Sequence, residues 1–539
     1  MIEIRQARFD DAPAIRDIFE ASYGDEYIYA EFYDDEAIRK LIYGDDTLML
    51  VAEESGRVLG TASVLMDSGA YADLVGEFGR LVVHPEARNR GIGTMLMRGR
   101  LQRVQDRLLM AFMEARVAAP YSVSIARKAG FAVVGYGPMK LHYGARREDT
   151  ALLVRHFGDG LALRRNHPRV IPEAYRLATR ALRNVGLEPD VVVDETAAAY
   201  PAGGDFRLRS FSAEGYSELL RIERGRLRQR EVYGPLRLHY GLFRIRAAKS
   251  SYLIAMEDGD VAGAVGYTHD RQEGFVRVFE VICRSERAIR YLLAELERRC
   301  IADGDVAVIE IDVGAGSVRM QRTLVECGYV PVAYLPAMVF HEVERIDIVK
   351  MQRLLTPLHG FDPDVEEQAM EMAACVLRDF RRREVLPQIA EAVDELPLFA
   401  GLTGEQVRRL ASVWQQESFA AGEVVFRPGD EGDRMWLLLE GTAEVSLGDE
   451  GRTVGRVESG ECLGENALLS GQPHTAGART LEAVTAGVIT KGRLVDLIRR
   501  RPDIGMVLYR NLAVGLGDKL RRADRALETE GRPRVEEEA

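Results

Sequence analysis

Cysteine is scarce in this chain of 539 residues, with five in all, at 283, 300, 327, 375 and 462, and no C-x-x-C pair among them. Only nine histidines accompany them, so neither a disulfide framework nor a zinc site is indicated, and reduced, buried thiols without a metal are expected. No run of 18 apolar residues occurs, which argues against a membrane-spanning helix, and the opening MIEIRQARFDD lacks the apolar core of a secretory signal. Basic residues are the minority, 72 against 84 acidic, for a net charge of −12. Binding a phosphate backbone needs a basic surface, so a general nucleic-acid binder is disfavoured. The expectation is a cytoplasmic protein with neither nucleic acid nor membrane as partner.

What is present is ordinary for a globular chain, 47% apolar and 29% charged. The length suits about three or four domains. The densest group of signals is VGEFGRLVVHPEARNRGIGTMLM, residues 75–97. An apolar run, Leu81-Val82-Val83, stops at His84-Pro85; Arg88-Asn89-Arg90-Gly91-Ile92-Gly93 follows and opens into a helical pattern at Thr94. Glycines allow close backbone approach, and amides at a helix start point outward with the positive end of its dipole, which suits a phosphate. The arginines supply matching charge.

Around this stretch the pattern predicts a strand over Ile2–Ala7, a helix from Asp10, and a hairpin of Leu48–Glu53 with Val58–Leu65. After it come a helix to 107, a strand Leu108–Ala115, a helix Ser122–Lys128, and a turn and strand from Gly130 to Tyr136. Residues 147–200 read as helical, followed by the linker AAAYPAGGD. The chain then repeats itself. Leu208-Arg209, Leu219 and Ile222 echo Ile4-Arg5, Ile15 and Ile18 at an offset of 204; Gly259 and Gly263 echo Gly56 and Gly60 at 203; Gly328-Tyr329, Tyr334 and Pro336 echo Gly130-Phe131, Tyr136 and Pro138 at 198. A period near 200 is a duplicated domain. The second copy loses residues in the interval of the glycine loop, where Val281 to Leu292 runs from strand almost directly into helix. Residues 347–395 read as helical, and from Leu396 short strands alternate with glycines, the signature of a β-roll. A helix over Ile504–Leu527 precedes an acidic tail.

The strand, proline stop, glycine-arginine loop, helix and upstream acid Glu77 resemble the acyl-CoA site of the GNAT N-acyltransferase superfamily, and the element order extends the resemblance over residues 1–146. The stretches LPLFAGLTGEQVRRLA, AAGEVVFRPGDEGDRMWLLLEGTAEV and GECLGENALLSGQPHTAGA are similar to the cyclic-nucleotide-binding domain. The implied fold class is multidomain α/β plus β: two GNAT-type α/β lobes with mixed central sheets, then a β-roll cyclic-nucleotide-binding-like domain with flanking helices. The expected divisions are a catalytic lobe 1–146, a helical linker 147–205, a degenerate lobe 206–346, a helical connector 347–395, the β-roll domain 396–500, and a helix with tail 501–539.

The resemblance implies acetyl-CoA or another acyl-CoA as co-substrate, its pyrophosphate on Arg88, Asn89, Arg90, Gly91, Ile92, Gly93 and Thr94, and its pantetheine arm along Leu81, Val82 and Val83. Glu77 would deprotonate the acceptor amine. Aligning on Lys128, Gly130 and Phe131 puts Ala126 where the family's tyrosine acid stands and Ala119 where its asparagine stands. Tyr121 is then the nearest proton donor, with Ser122 or water as substitutes. In the second family Gly464, Glu465, Ala467, His474 and Thr475 fall on the nucleotide pocket, with cAMP or a related cyclic nucleotide as effector. His474 replaces the phosphate-binding arginine, and a mostly neutral ring grips a phosphate less well than a guanidinium fork. Together these imply an acyl-CoA-dependent N-acyltransferase under nucleotide control, acting on a protein lysine or a small amine. A small-amine or amino-acid acyltransferase and a non-catalytic acyl-CoA and nucleotide sensor stand as alternatives, and a homodimer is compatible with either.

Overall fold

The computed structural model describes every residue except 28, 67–72, 119, 144–145, 213–229, 235–249, 359–365, 392–395, 403–405, 408–409, 411–412, 448–451 and 531–539. The echoes at Leu219 and Ile222, the aligned Ala119 and the end of the acidic tail therefore lie outside the described residues. The chain divides into two compact units, Met1–Leu377 and Arg378–Ala539.

The first unit begins with β1 (Glu3–Gln6), α1 (Ala12–Tyr23), α2 (Asp35–Tyr43), β2 (Thr47–Glu54), β3 (Arg57–Leu65), β4 (Val75–Val83), α3 (Ile92–Val104), β5 (Met110–Arg116), α4 (Pro120–Lys128), β6 (Ala132–Tyr143) and β7 (Arg146–His156). Ile15, Ile18 and Phe19 recur at helical spacing on α1 and are buried, while Leu48 to Ala52 of β2 are buried without alternation, as in a strand covered on both faces. Ser55 and Gly56, both at positive φ, make the tight β2–β3 turn. A short parallel pair, β8 (Arg169–Val170) and β9 (Val192–Val193), brackets α5 (Pro172–Asn184). Then come β10 (Arg207–Ser212), β11 (Ser250–Glu257), β12 (Asp260–Asp270), β13 (Phe275–Cys283), α6 (Glu286–Asp303), β14 (Val308–Gly314), α7 (Val318–Glu326), β15 (Val330–His341) and β16 (Glu344–Leu354).

All strands but β8 and β9 form one 14-stranded sheet, in the order β1-β2-β3-β4-β5-β7-β6-β15-β16-β14-β13-β12-β11-β10. Read from either end, the order is the same seven-strand sequence. Only β4 with β5, and β13 with β14, are parallel neighbours in it. The two halves join where Gly135 faces Ala333, positions that are equivalent at an offset of 198. A Cβ on Gly135 would lie 2.2 Å from that of Ala333, so only glycine lets the strands meet.

Each half carries the same device in its last hairpin. Tyr136 donates to Asp149 (2.5 Å), the Met139 amide donates to the same carboxylate (2.7 Å), and Arg147 donates to the Met139 carbonyl (2.7 Å). At an offset of 198, Tyr334, Asp347, Ala337 and Arg345 repeat this at 2.5, 2.8 and 2.7 Å. Met139 and Ala337 both have positive φ, 57° and 50°. The arginines also reach across: Arg147 donates to the Glu273 carbonyl (2.6 Å) and Arg345 to the Asp73 carbonyl (2.7 Å).

The divisions expected at 146 and 346 need correction. Residues Arg146–His156 and Glu344–Leu354 are strands of the sheet, not the heads of helical segments. Ala151 to Val154 is a short apolar run without alternation, which periodicity cannot assign to helix or strand, and pairing with β5 and β6 decides it. The helix expected beyond 366 is present as α8 (Glu367–Glu391).

The second unit holds β17 (Gln415–Phe419), β18 (Val424–Phe426), β19 (Arg434–Glu440), β20 (Ala443–Leu447), β21 (Arg452–Val457), β22 (Cys462–Leu463), α9 (Glu465–Ser470), β23 (Gly477–Thr480), β24 (Val484–Thr490), α10 (Lys491–Arg500) and α11 (Pro502–Glu530). Two four-stranded sheets, β17-β24-β19-β22 and β18-β23-β20-β21, enclose Phe426, Trp436, Leu438 and Val457. A second core, with Trp414, Leu494, Ile504 and Leu508, joins this roll to its helices.

Candidate functional site

β4 is where the first half opens. Against β5 it pairs only over Val75–Glu77, opposite Met110–Phe112, whereas β5 continues beside β7 to Arg116. Against β3 its register slips between Thr61–Val82 and Ser63–Gly79, and the bulge holds Arg80 at φ 54°, a strained value for a residue with a side chain. The two parallel strands thus diverge immediately after Glu77, leaving the β5-facing edge of Phe78 to Val83 without a strand among the described residues. Val82 is buried, while Leu81 and Val83 are half-buried.

At the top of β4, Pro85–Ala87 makes one tight turn, and Asn89 (φ 63°) and Gly91 (φ 76°) bend the chain into α3. The first intrahelical bond is donated by Met95 to the Gly91 carbonyl, so the amides of Ile92, Gly93 and Thr94 are donors at the positive helix end. Ile92 is buried and anchors the turn, whereas Arg88, Asn89, Arg90 and Gly91 are exposed. Arg90 pairs with Glu54 at 2.7 Å.

Below the divergence lies a cavity of about 170 Å³. Its walls include Tyr23, Tyr27 and Tyr29 on one side and Glu77, Arg80 and Arg100 on the other. Glu77 Oε1 is 3.3 Å from Arg80 Nη1, and the Arg80 guanidinium stands 5.3 Å over the Tyr29 ring. Arg100 is 1% exposed; its Nη1 donates to the carbonyls of Ser63 and Gly79, and it lies 4.9 Å over Phe78. Burial, with Arg80 nearby, pushes this guanidinium down to about 9. Glu114, on β5, also lines the cavity and pairs with Lys140 at 2.5 Å. Tyr121 is 78% exposed and lies outside the cavity wall, which Ser122 joins instead; Ala126 is in the core. The arginines and the tyrosine wall escaped the sequence reading, although four tyrosines within Tyr23–Tyr33 were a visible signal.

The second half differs at every one of these points. Sheet register places Arg277 where Glu77 stands: Arg277 faces Thr268 and Glu310, as Glu77 faces Leu65 and Phe112. Arg277 is tied to Glu310 at 3.2 Å. β13 enters α6 through two residues, and Glu286 in the first helical turn pairs with Arg319 at 2.6 Å. Residues 231–234 fill the divergence of β13 from β14. Tyr233 donates to Asp312 (2.9 Å), Gly314 to Glu231 (3.0 Å) and Gly234 to Phe279 (3.2 Å) through main-chain atoms. A Cβ on Gly234 would sit 2.1 Å from the Phe279 Cα. Tyr200 donates to Glu231 at 2.9 Å, and burial pushes that carboxyl up to about 7.

In the second unit, Gly464 (φ 78°) caps α9, and Glu465, its first residue, is buried and meets Lys519 of α11 at 2.5 Å. Lys519 also donates to the Cys462 carbonyl. His474 is buried and stacks on Phe426 with centroids 3.9 Å apart and an 18° interplanar angle. Burial lowers its basicity, and the carboxylates of Asp430 and Asp433 oppose that. Ala467 is buried, Thr475 is exposed, and Arg479 donates to the Gly422 carbonyl (2.9 Å), on the strand after the pocket.

Comparison with known proteins gives two domain matches. The chain carries a domain of the acetyltransferase (GNAT) family, matched over residues 12–131, and a cyclic nucleotide-binding domain, matched over residues 416–501. The cyclic AMP receptor protein of Thermus thermophilus is 32% identical over 135 residues, 24% of this chain and 61% of that protein. A cGMP-dependent protein kinase of Toxoplasma gondii is 31% identical over 140 residues, 24% of this chain and 14% of the kinase. This chain therefore spans less than two thirds of either curated relative. Among solved structures, the ribosomal-protein-alanine N-acetyltransferase of Brucella melitensis is 21% identical, covering 29% of this chain and 99% of that one, with a TM-score of 0.27. Among the described residues no helix is long and apolar enough to cross a membrane.

Proposed function

We propose that the protein is an acyl-CoA-dependent N-acyltransferase, most simply from acetyl-CoA to a primary amine, with its active site in the first half. The observation that carries this is the opening of β4 from β5 at Glu77, directly below a glycine turn with outward amides. The fit is chemical: a free strand edge matches the amides of a pantetheine arm, and first-turn amides with Arg88 and Arg90 match a pyrophosphate. The co-substrate supplies an activated thioester. In transfer, the amine nitrogen loses a proton as its bond to the acyl carbon forms, and the carbon–sulfur bond breaks as the thiolate gains a proton. Glu77 takes the amine's proton, directly or through water, and main-chain amides of Leu81 to Val83 polarise the thioester carbonyl. Ser122 replaces Tyr121 as the side chain placed to help the thiolate leave.

The second half serves as a structural, degenerate lobe of the same family. Arg277 at the base position, Glu286 where a phosphate would sit, and residues 231–234 in the cleft each support this. The C-terminal domain is regulatory, with cAMP or a related cyclic nucleotide as effector. Release of free thiol from acetyl-CoA, followed with candidate amines and lysine-containing proteins, tests the assignment. Glu77→Gln should lower kcat by roughly 10²-fold or more while leaving CoA affinity intact; unchanged turnover with every acceptor removes Glu77 as base.

A further inference from the structure

Among the described residues, the cavity beside Glu77 holds more positive charge than its neighbours cancel. Beneath it lies a buried network in which Lys140, Lys350 and Arg277 balance Glu114, Glu310 and Asp312. Arg116 is balanced by Glu148, and Arg147 lies against Glu273 of the second half, which hydrogen-bonds Tyr29. Among the described residues, what remains is Arg80 and Arg100 against the carboxylate of Glu77. Arg100 has only main-chain carbonyls and a Met97 sulfur as partners among the described residues, and its Nε finds none. Arg80 Nη1 is likewise buried without a hydrogen bond, although Glu77 lies 3.3 Å away. A buried guanidinium short of an anion is costly, and a bound carboxylate offsets that cost with a two-point hydrogen bond.

We infer that the acceptor is an α-amino acid, its carboxylate on Arg80, with Arg100 behind, and its amine against Glu77. This rests on the acyltransferase reading and narrows it. The 3.3 Å between Glu77 and Arg80 selects an acceptor with amine and carboxylate on one carbon. A lysine side chain in a protein, or a polyamine, brings a cation and no anion.

The test uses the full chain with acetyl-CoA and three matched sets: the common L-amino acids, their α-amides, and the amines left by their decarboxylation. The best amino acid should exceed its amide by about 10- to 100-fold in kcat/KM, the range expected for a charge-assisted contact. Arg80→Met should collapse that ratio towards one, and Arg80→Lys should keep part of it, with CoA affinity by calorimetry reporting that both variants are folded. Amides or decarboxylated amines acylated as well as the acid overturn the inference, as does acylation confined to protein lysines, and either leaves the acyltransferase reading standing. If nothing is acylated, that reading falls. Calorimetry of the same amino acids and amides on the CoA-loaded protein then decides the inference separately, equal affinities or no binding overturning it.

Discussion

Replacing Gly135 by alanine puts a methyl group where the two halves of the sheet already touch. The added Cβ would lie 2.2 Å from the Ala333 Cβ, 2.6 Å from its Cα and 2.7 Å from the Val332 carbonyl oxygen. Two of these obstacles are main-chain atoms of a paired strand, so no side-chain rotation relieves them. Overpacking of this kind costs about 1–3 kcal/mol, and a main-chain obstacle places Gly135→Ala near the upper figure. Ala333→Gly alone should cost about 0.5–1 kcal/mol through backbone freedom. The double variant again has one methyl at the junction. It lacks the Ala333 Cβ but keeps both main-chain obstacles, so it should recover only part of the Gly135→Ala cost and be more stable than the sum of the single effects by about 1 kcal/mol or less. Urea unfolding followed by far-UV circular dichroism measures this. Trp414 and Trp436 are the only tryptophans and lie in the other unit, so fluorescence provides an internal reference. Strictly additive costs, or an unchanged midpoint for Gly135→Ala, would refute the junction as described.

Three further outcomes are expected. His156, largely buried with its Nε2 2.8 Å from the Pro336 carbonyl, is pushed from 6.5 down to about 4 by burial, aided by Arg345 and Arg164. Its unfolded form then holds the extra proton between those values, so stability is fully present above pH 6.5 and is lost as pH falls towards 4, by about 3 kcal/mol; His156→Gln should flatten that slope in acid titrations of unfolding. In the second unit, His474→Arg should tighten cAMP binding by roughly tenfold or more through a charge-assisted phosphate contact, and Lys519→Met should add to this by releasing Glu465. Calorimetry showing no gain in either variant would exclude the pocket as a nucleotide site. Gly91→Ala forces a side chain into φ 76° and should cost about 1 kcal/mol while weakening CoA binding, which dye-monitored melting with and without CoA can separate.

Much of the fold was legible because its signals are local. The glycine turn and the β2–β3 hairpin each depend on a few adjacent residues, as does the matching Asp258-Gly259 turn, whose φ values, 52° and 88°, follow those of Ser55 and Gly56, 52° and 82°. β7 and β16 were misread because an apolar run of four carries no period, and their partners lie far along the chain. The site was half legible. The loop stands out by its glycines and arginines and Glu77 only through a resemblance, whereas Arg80 and Arg100 become informative only once folding buries both beside one carboxylate among the described residues. Likewise His474 was visible as a departure from its family, whereas its stacking on Phe426 and the pairing of Glu465 with Lys519 join residues 48 and 54 positions apart.

The junction at Gly135 and Ala333 has one more implication. Equivalent residues face each other there, Arg147 reaches Glu273 while Arg345 reaches Asp73, and the order of strands reads alike from both ends. A self-complementary patch of this sort is how identical subunits pair about a two-fold axis. The single chain thus has the geometry of a homodimer whose subunits have been fused, and fusion releases the copies from having to stay identical. One copy can then keep an open cleft while the other fills its own with residues 231–234, an asymmetry that two products of one gene could not maintain.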